Sequence, residues 1–182
     1  MVVFSKENNL TDITVRYCSK CCILLLAGIL IFFPSCDKNR IYERNIPIKK
    51  YFWDSKFIPS YTINIRDTSV LYNFYVNVRH SEGYPYRNIW LLVTTQFPDE
   101  TKIFKRIEIM LANDEGKWFG NGVGNIWDYS SLIQENAFFN KPGLYNFSIE
   151  QNMRLDPLPC IMSIGVRIEN TSLQKYTQSN RL

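Results

Sequence analysis

The sequence predicts an all-β protein: a single antiparallel β-sandwich of jelly-roll type behind an N-terminal signal segment. Three observations carry this. Apolar and polar residues alternate with period two in several segments rich in β-branched and aromatic side chains. Turn-forming clusters separate those segments at short intervals, and helical periodicity is scarce. Apolar residues make up 46% and aromatics 15% of the 182-residue chain, well above what a disordered chain carries. A small barrel is the alternative architecture.

The first element is not part of the fold. Residues 21–33, CCILLLAGILIFF, carry no charge and follow Arg16 and Lys20. Thirteen residues fall short of the roughly 20 that a spanning helix needs, but they match the apolar core of a signal peptide. Pro34 ends the run, Ser35 supplies a small residue, and Cys36 stands where charge returns with Asp37, Lys38 and Arg40. This arrangement resembles a bacterial lipoprotein signal, cleaved between Ser35 and Cys36, with diacylglycerol attached to the thiol. Two or more acyl chains give stable anchoring where one is marginal. Phe33 and Pro34 make the motif looser than the usual aliphatic pattern, and an uncleaved short anchor with a free Cys36 is the alternative. Residues 1–35 are therefore read as signal peptide and 36–58 as the lipidated N-terminus and a polar tether. The sandwich is assigned to 59–170 and a disordered polar tail to 171–182.

Within the sandwich, Tyr61, Ile63 and Ile65 alternate with Thr62, Asn64 and Arg66. Tyr72, Phe74, Val76 and Val78 are expected inside, with Asn73, Tyr75, Asn77 and Arg79 outside. SEGYPY is a turn that contains His80's neighbours, so His80 is placed at the turn as well. NIWLLVTTQF is nearly continuous in apolar residues and is expected to be a central strand. TKIFKRIEIML puts Ile103, Ile107, Ile109 and Leu111 on one face, with Lys105 as the exception. Residues 116–127, GKWFGNGVGNIW, read as a long structured loop whose glycines let the chain bend between Trp118 and Trp127. DYSSLIQEN reads as a short helix capped by Asp128. Tyr145, Phe147 and Ile149 mark the next strand, and a final strand covers about 160–169.

Charge and motif content exclude several functions. The net charge of +4 is spread along the chain, and no Lys/Arg-rich run marks a phosphate-binding stripe, so nucleic acid is not an expected partner. A single histidine removes the common zinc patterns and leaves no Ser-His-Asp set with a nominated serine. Asp99-Glu100 and Asp114-Glu115 sit in turns beside Pro98 and Gly116, where a glycosidase pair would need a cleft. Removing residues 1–35 leaves Cys36 and Cys160 of the five cysteines. With Cys36 lipidated, Cys160 has no partner and reads as a buried core thiol. No catalytic constellation, cofactor or metal site is expected. The remaining lead is aromatic: Tyr84, Tyr86, Trp118, Phe119, Trp127 and Tyr129 are read as loop residues. They either cap the open end of the core or form a contact surface for protein or carbohydrate.

Six segments in fixed order add a resemblance: CDKNRIY from Cys36, YPYRNIWLLV, QFPDET, GKWFGNGVGNI, KPGLYNFSIEQNMR and GVRIEN. Together they resemble the gliding motility lipoprotein family GldH of the Bacteroidetes, from Cys36 to about Asn170. The resemblance implies a lipid-anchored, non-enzymatic envelope protein that works with other components of the gliding or type IX secretion machinery. It maps the lipidated cysteine onto Cys36. Surface-exported lipoproteins of that phylum tend to carry an acidic cluster after the cysteine. Here Asp37 stands alone among Lys38, Asn39 and Arg40, which points to a periplasm-facing protein. A carbohydrate-binding lipoprotein that uses the loop aromatics is the competing function.

Overall fold

A computed structural model describes residues 39–174; the readings on Ser35, Cys36, the signal segment and residues 175–182 lie outside them. Eleven strands occur among the described residues: β1 (Arg40–Pro47), β2 (Phe52–Trp53), β3 (Ser60–Ile65), β4 (Val70–Ser81), β5 (Asn88–Gln96) and β6 (Lys102–Met110) come first. They are followed by β7 (Asn121–Val123), β8 (Ile126–Ala137), β9 (Gly143–Gln151), β10 (Leu158–Pro159) and β11 (Ile161–Gln174).

The longer strands pair in a nested way, all antiparallel: β1 with β11, β3 with β9, β4 with β8, and β5 with β6. The chain is thus one long hairpin. Rolling it up adds the β11–β4 and β9–β5 pairings and divides it into two main sheets, β1-β11-β4-β8-β7 and β3-β9-β5-β6, with β2 and β10 as a separate two-stranded pair. That is the jelly-roll sandwich, and two separate sheets replace the barrel alternative.

The alternation read from the sequence decides which faces meet. Tyr61, Ile63 and Ile65 of β3, Tyr72, Phe74, Val76 and Val78 of β4, and Tyr145, Phe147 and Ile149 of β9 are all buried. Ring contacts join the sheets: Phe74 meets Phe147 at 4.5 Å, and Phe139 bridges Tyr72 at 5.3 Å and Tyr145 at 4.6 Å. The Tyr61 hydroxyl crosses the sandwich to donate to the Ile164 carbonyl at 2.8 Å, so a polar tip is buried with its bond made. Strand β5 is flanked by β6 and β9, central as its apolar run requires. Edge strand β6 exposes Ile103 and Phe104, and Lys102, Lys105 and Arg106 beside them blunt the edge.

Four expectations are corrected. Residues 128–136 form strand rather than helix, because β8 pairs with β4 from Ile126 to Ala137. Two register shifts, near Phe74 and Tyr75, break the strand's alternation and hide it from a period-two reading. The segment read as a tether supplies β1 and β2. Along β1 the inward-phase positions are Tyr42, Arg44 and Ile46, and the arginine in the middle masks the apolar pattern. The glycine-rich loop contains β7 and a tight hairpin into β8, with Val123 opposite Ile126. The first residues of the polar tail, 171–174, extend β11, where Thr171 Oγ1 donates to the Leu71 carbonyl at 3.0 Å.

Candidate functional site

The aromatic residues singled out in the sequence gather at one end of the sandwich, but not as an exposed row. Strand β4 continues its inward alternation one step past Val78, so His80 is fully buried rather than in the turn. The segment 111–119 folds back on itself around Asn113, whose side-chain oxygen accepts from the Glu115 and Lys117 backbone amides at 3.1 and 2.8 Å. Phe119 N then donates to Leu111 O at 2.8 Å, which returns Trp118 to the core. Trp118 packs edge-on against His80 at 4.6 Å, and Tyr84 approaches the same imidazole at 5.8 Å.

Of the six aromatics, Tyr86 is exposed and lies edge-on to Tyr84 at 5.8 Å. Tyr84 is itself buried, with its hydroxyl donating to Asn88 O at 2.9 Å. Burial, with Tyr86 alongside, pushes that hydroxyl's pKa up, so it stays neutral. Trp118, Phe119, Trp127 and Tyr129 are half-buried, and Phe119 meets Tyr129 at 5.8 Å. Trp127 and Tyr129 lie in β8 and not in a loop, on the face that packs inward beside Val78 and His80. Gly122 is the register partner of Trp127, and a Cβ there would come within 2.8 Å of the indole. The ring therefore lies in the space that the glycine leaves, a common cross-strand use of glycine. Cys160 is half-buried at a left-handed backbone position (φ 64°) and touches the core only from its margin.

The turn carboxylates behave as solvated turn groups. Asp99 accepts from Thr101 Oγ1 and pairs with Lys141 Nζ at 2.9 Å; Asp114 pairs with Arg87 at 2.6 Å.

His80 is what the sequence reading missed, and the signal was parity: it continues the series 72, 74, 76, 78. Its Nδ1 lies 3.0 Å from the Ser81 carbonyl, and its Nε2 has no partner among the described residues. Burial holds its pKa below the usual histidine range, outweighing the Ser81 bond and Asp128. The unfolded chain takes up its proton near pH 6.5, the folded chain only at lower pH. Stability is therefore complete above about pH 6.5 and is lost as the pH falls through the window beneath it. The slope is at most about 1.4 kcal/mol per pH unit, because one proton is involved. No other histidine exists to blur the result. Urea midpoints measured between about pH 5.5 and 7.5 are expected to fall on acidification in the native sequence and to stay flat in His80→Phe. A slope that survives the substitution assigns the effect to other groups.

Comparison with known proteins follows the limits of the fold. The GldH lipoprotein family matches residues 40–168, which run from the first residue of β1 into β11. A gliding motility lipoprotein GldH homolog of Christiangramia forsetii is 30% identical over 156 residues, covering 82% of this chain and 95% of that protein. Gliding motility lipoprotein GldH of Flavobacterium johnsoniae is 30% identical over 154 residues, covering 81% and 94%. Among solved structures, the VP2 subviral particle of infectious bursal disease virus matches 70% of this chain and 30% of its own, at 14% identity and a TM-score of 0.30. With the matched residues spanning the whole sandwich and both relatives covered nearly end to end, the chain belongs to the GldH lipoprotein family.

Proposed function

We propose that this protein is a lipid-anchored, non-enzymatic component of the cell envelope that serves gliding motility together with the type IX secretion machinery. Membership in the GldH lipoprotein family carries the reading, supported by two relatives named for gliding motility and matched over nearly their full length. The anchor is the acylated Cys36, whose neighbours Asp37, Lys38 and Arg40 favour a periplasm-facing placement. Its partners are other envelope proteins of that apparatus. The sandwich begins at Arg40, four residues after Cys36, so at most about 14 Å of extended chain separates lipid from sheet. The start of β1 would therefore be held close to the bilayer.

The anchor is tested with labelled palmitate: Cys36→Ala is expected to lose the label and to accumulate as precursor of higher mass. Incorporation that persists in that variant overturns the anchor. In-cell crosslinking with mass spectrometry tests the rest. Recovery of motility or secretion components in the envelope supports the reading, and capture confined to unrelated envelope proteins sinks it.

A further inference from the structure

The outer face of the five-stranded sheet carries a trough of about 520 Å³, within the size range of small-ligand sites. Its floor is built by register. Asn45 of β1, Gly165 of β11, Asn77 of β4 and Ser130 of β8 stand side by side across four strands. Gly165 makes the hollow: a Cβ there would fall 1.8 Å from Asn45 Oδ1. Without it, the Asn45 amide lies down over β11 and reaches its neighbour but one. Asn77 Nδ2 donates to Asn45 Oδ1 at 3.1 Å and to Glu43 Oε1 at 2.9 Å, while Asn77 Oδ1 accepts from Ser130 Oγ at 2.6 Å. The floor amides are thus held in one orientation before any ligand arrives, which lowers the ordering cost of binding.

The charges along the trough cancel. Two guanidiniums, Arg79 and Arg167, face two carboxylates, Glu43 and Asp128. Arg79 Nε lies 3.6 Å from Asp128 Oδ1, and Arg167 is held by Glu169 at 3.2 Å and lies 4.2 Å over the Tyr75 ring. An anionic ligand meets no surplus of cations here. An apolar ligand meets a floor of amides and a hydroxyl. An extended peptide binds most readily by adding to an open strand edge, and this trough lies on the face of a sheet.

The geometry points to a neutral glycan as the ligand. Amide, carboxylate and guanidinium groups each present two polar atoms in one plane, a spacing that suits neighbouring sugar hydroxyls. Hydroxyls both donate and accept, so one ligand can serve the donors of Asn45 and Arg79 and the acceptors of Asp128 together. This assignment does not rest on the motility reading, and it places carbohydrate on the sheet face and not on the loop aromatics.

The test uses the full lipidated protein in detergent micelles, screened against neutral hexasaccharides of several linkages and against acidic polysaccharides and an unrelated extended peptide. Titration calorimetry then measures the strongest hexasaccharide against Asn45→Ala, Asn77→Ala and Tyr86→Ala. Binding is expected to weaken by roughly tenfold in each asparagine variant and to be unchanged in Tyr86→Ala. Asn45 is exposed, so its variant keeps the test valid if Asn77→Ala proves unstable. The proposal is overturned if no neutral hexasaccharide binds at millimolar concentration. It is equally overturned if the acidic polysaccharide or the peptide is preferred, or if both asparagine variants bind as the native protein does.

Discussion

Deleting residues 39–58 is expected to abolish cooperative folding, although the sequence marks that stretch as a tether. Strand β1 pairs with β11 from Arg40↔Glu169 to Pro47↔Ser163, and without it β11, buried along its inner face, becomes the open edge of the sheet. The same deletion removes Ile48 and Trp53, both buried, the tryptophan completely. Trp53 is fixed on two sides: its Nε1 donates to the Phe57 carbonyl at 2.8 Å, and its strand pairs with Leu158 of β10. Asp156 fastens the neighbouring turn, accepting from Ser55 N at 2.9 Å and Ser55 Oγ at 2.6 Å. Removing a buried tryptophan alone costs about 3–5 kcal/mol, and a buried isoleucine about 2–5. A domain of this size holds only about 5–15 kcal/mol in total. The shortened chain should therefore lack near-UV circular dichroism and a sigmoidal urea transition. Trp53→Ala, which keeps β1, should retain a cooperative transition with about 3–5 kcal/mol less stability. A shortened chain with native near-UV signal and an unchanged midpoint would restore the tether.

That disagreement shows what the sequence can and cannot reveal. Where a strand is regular and half-buried, residue chemistry and parity coincide: Tyr61 to Ile65, Tyr72 to Val78 and Tyr145 to Ile149 were readable because every second residue is apolar. Strand β8 was not, since its register shifts displace the apolar positions and Asp128 mimics a helix cap. Strand β1 was not, because Arg44 takes an inward-phase position. The aromatic end was legible in composition but not in exposure; a tyrosine beside a proline turn gives no sign that Asn88 will accept its hydroxyl proton. The polar trough was beyond sequence reasoning altogether. Asn45, Asn77, Ser130 and Gly165 are dispersed along the chain, and only the rolled hairpin brings them into one row.

Gly120→Ala is expected to be the most damaging single-methyl change at the aromatic end. Gly120 has φ +87°, where an alanine pays about 1–2 kcal/mol for its Cβ. Space is the larger problem. The added carbon would fall 2.2 Å from the Asp128 carbonyl oxygen and 2.9 Å from Tyr129 Cα, both backbone atoms. Strand β8 cannot retreat, because β4 holds it along its length. The segment that carries Trp118 and Phe119 must therefore lift, and the contact of Trp118 with His80 goes with it. Gly124 supplies the control: its φ is +62°, but a Cβ there meets nothing within 4 Å. Gly124→Ala should cost only the conformational part, about 1–2 kcal/mol, and Gly120→Ala about 3 kcal/mol or more. Equal losses in urea denaturation would show that β8 yields after all. Because Gly120 and Asp128 also border the trough on the sheet's outer face, the same substitution should weaken any ligand held there. A single glycine thus couples the packed aromatic end to the polar face, through β8, a strand that both surfaces share.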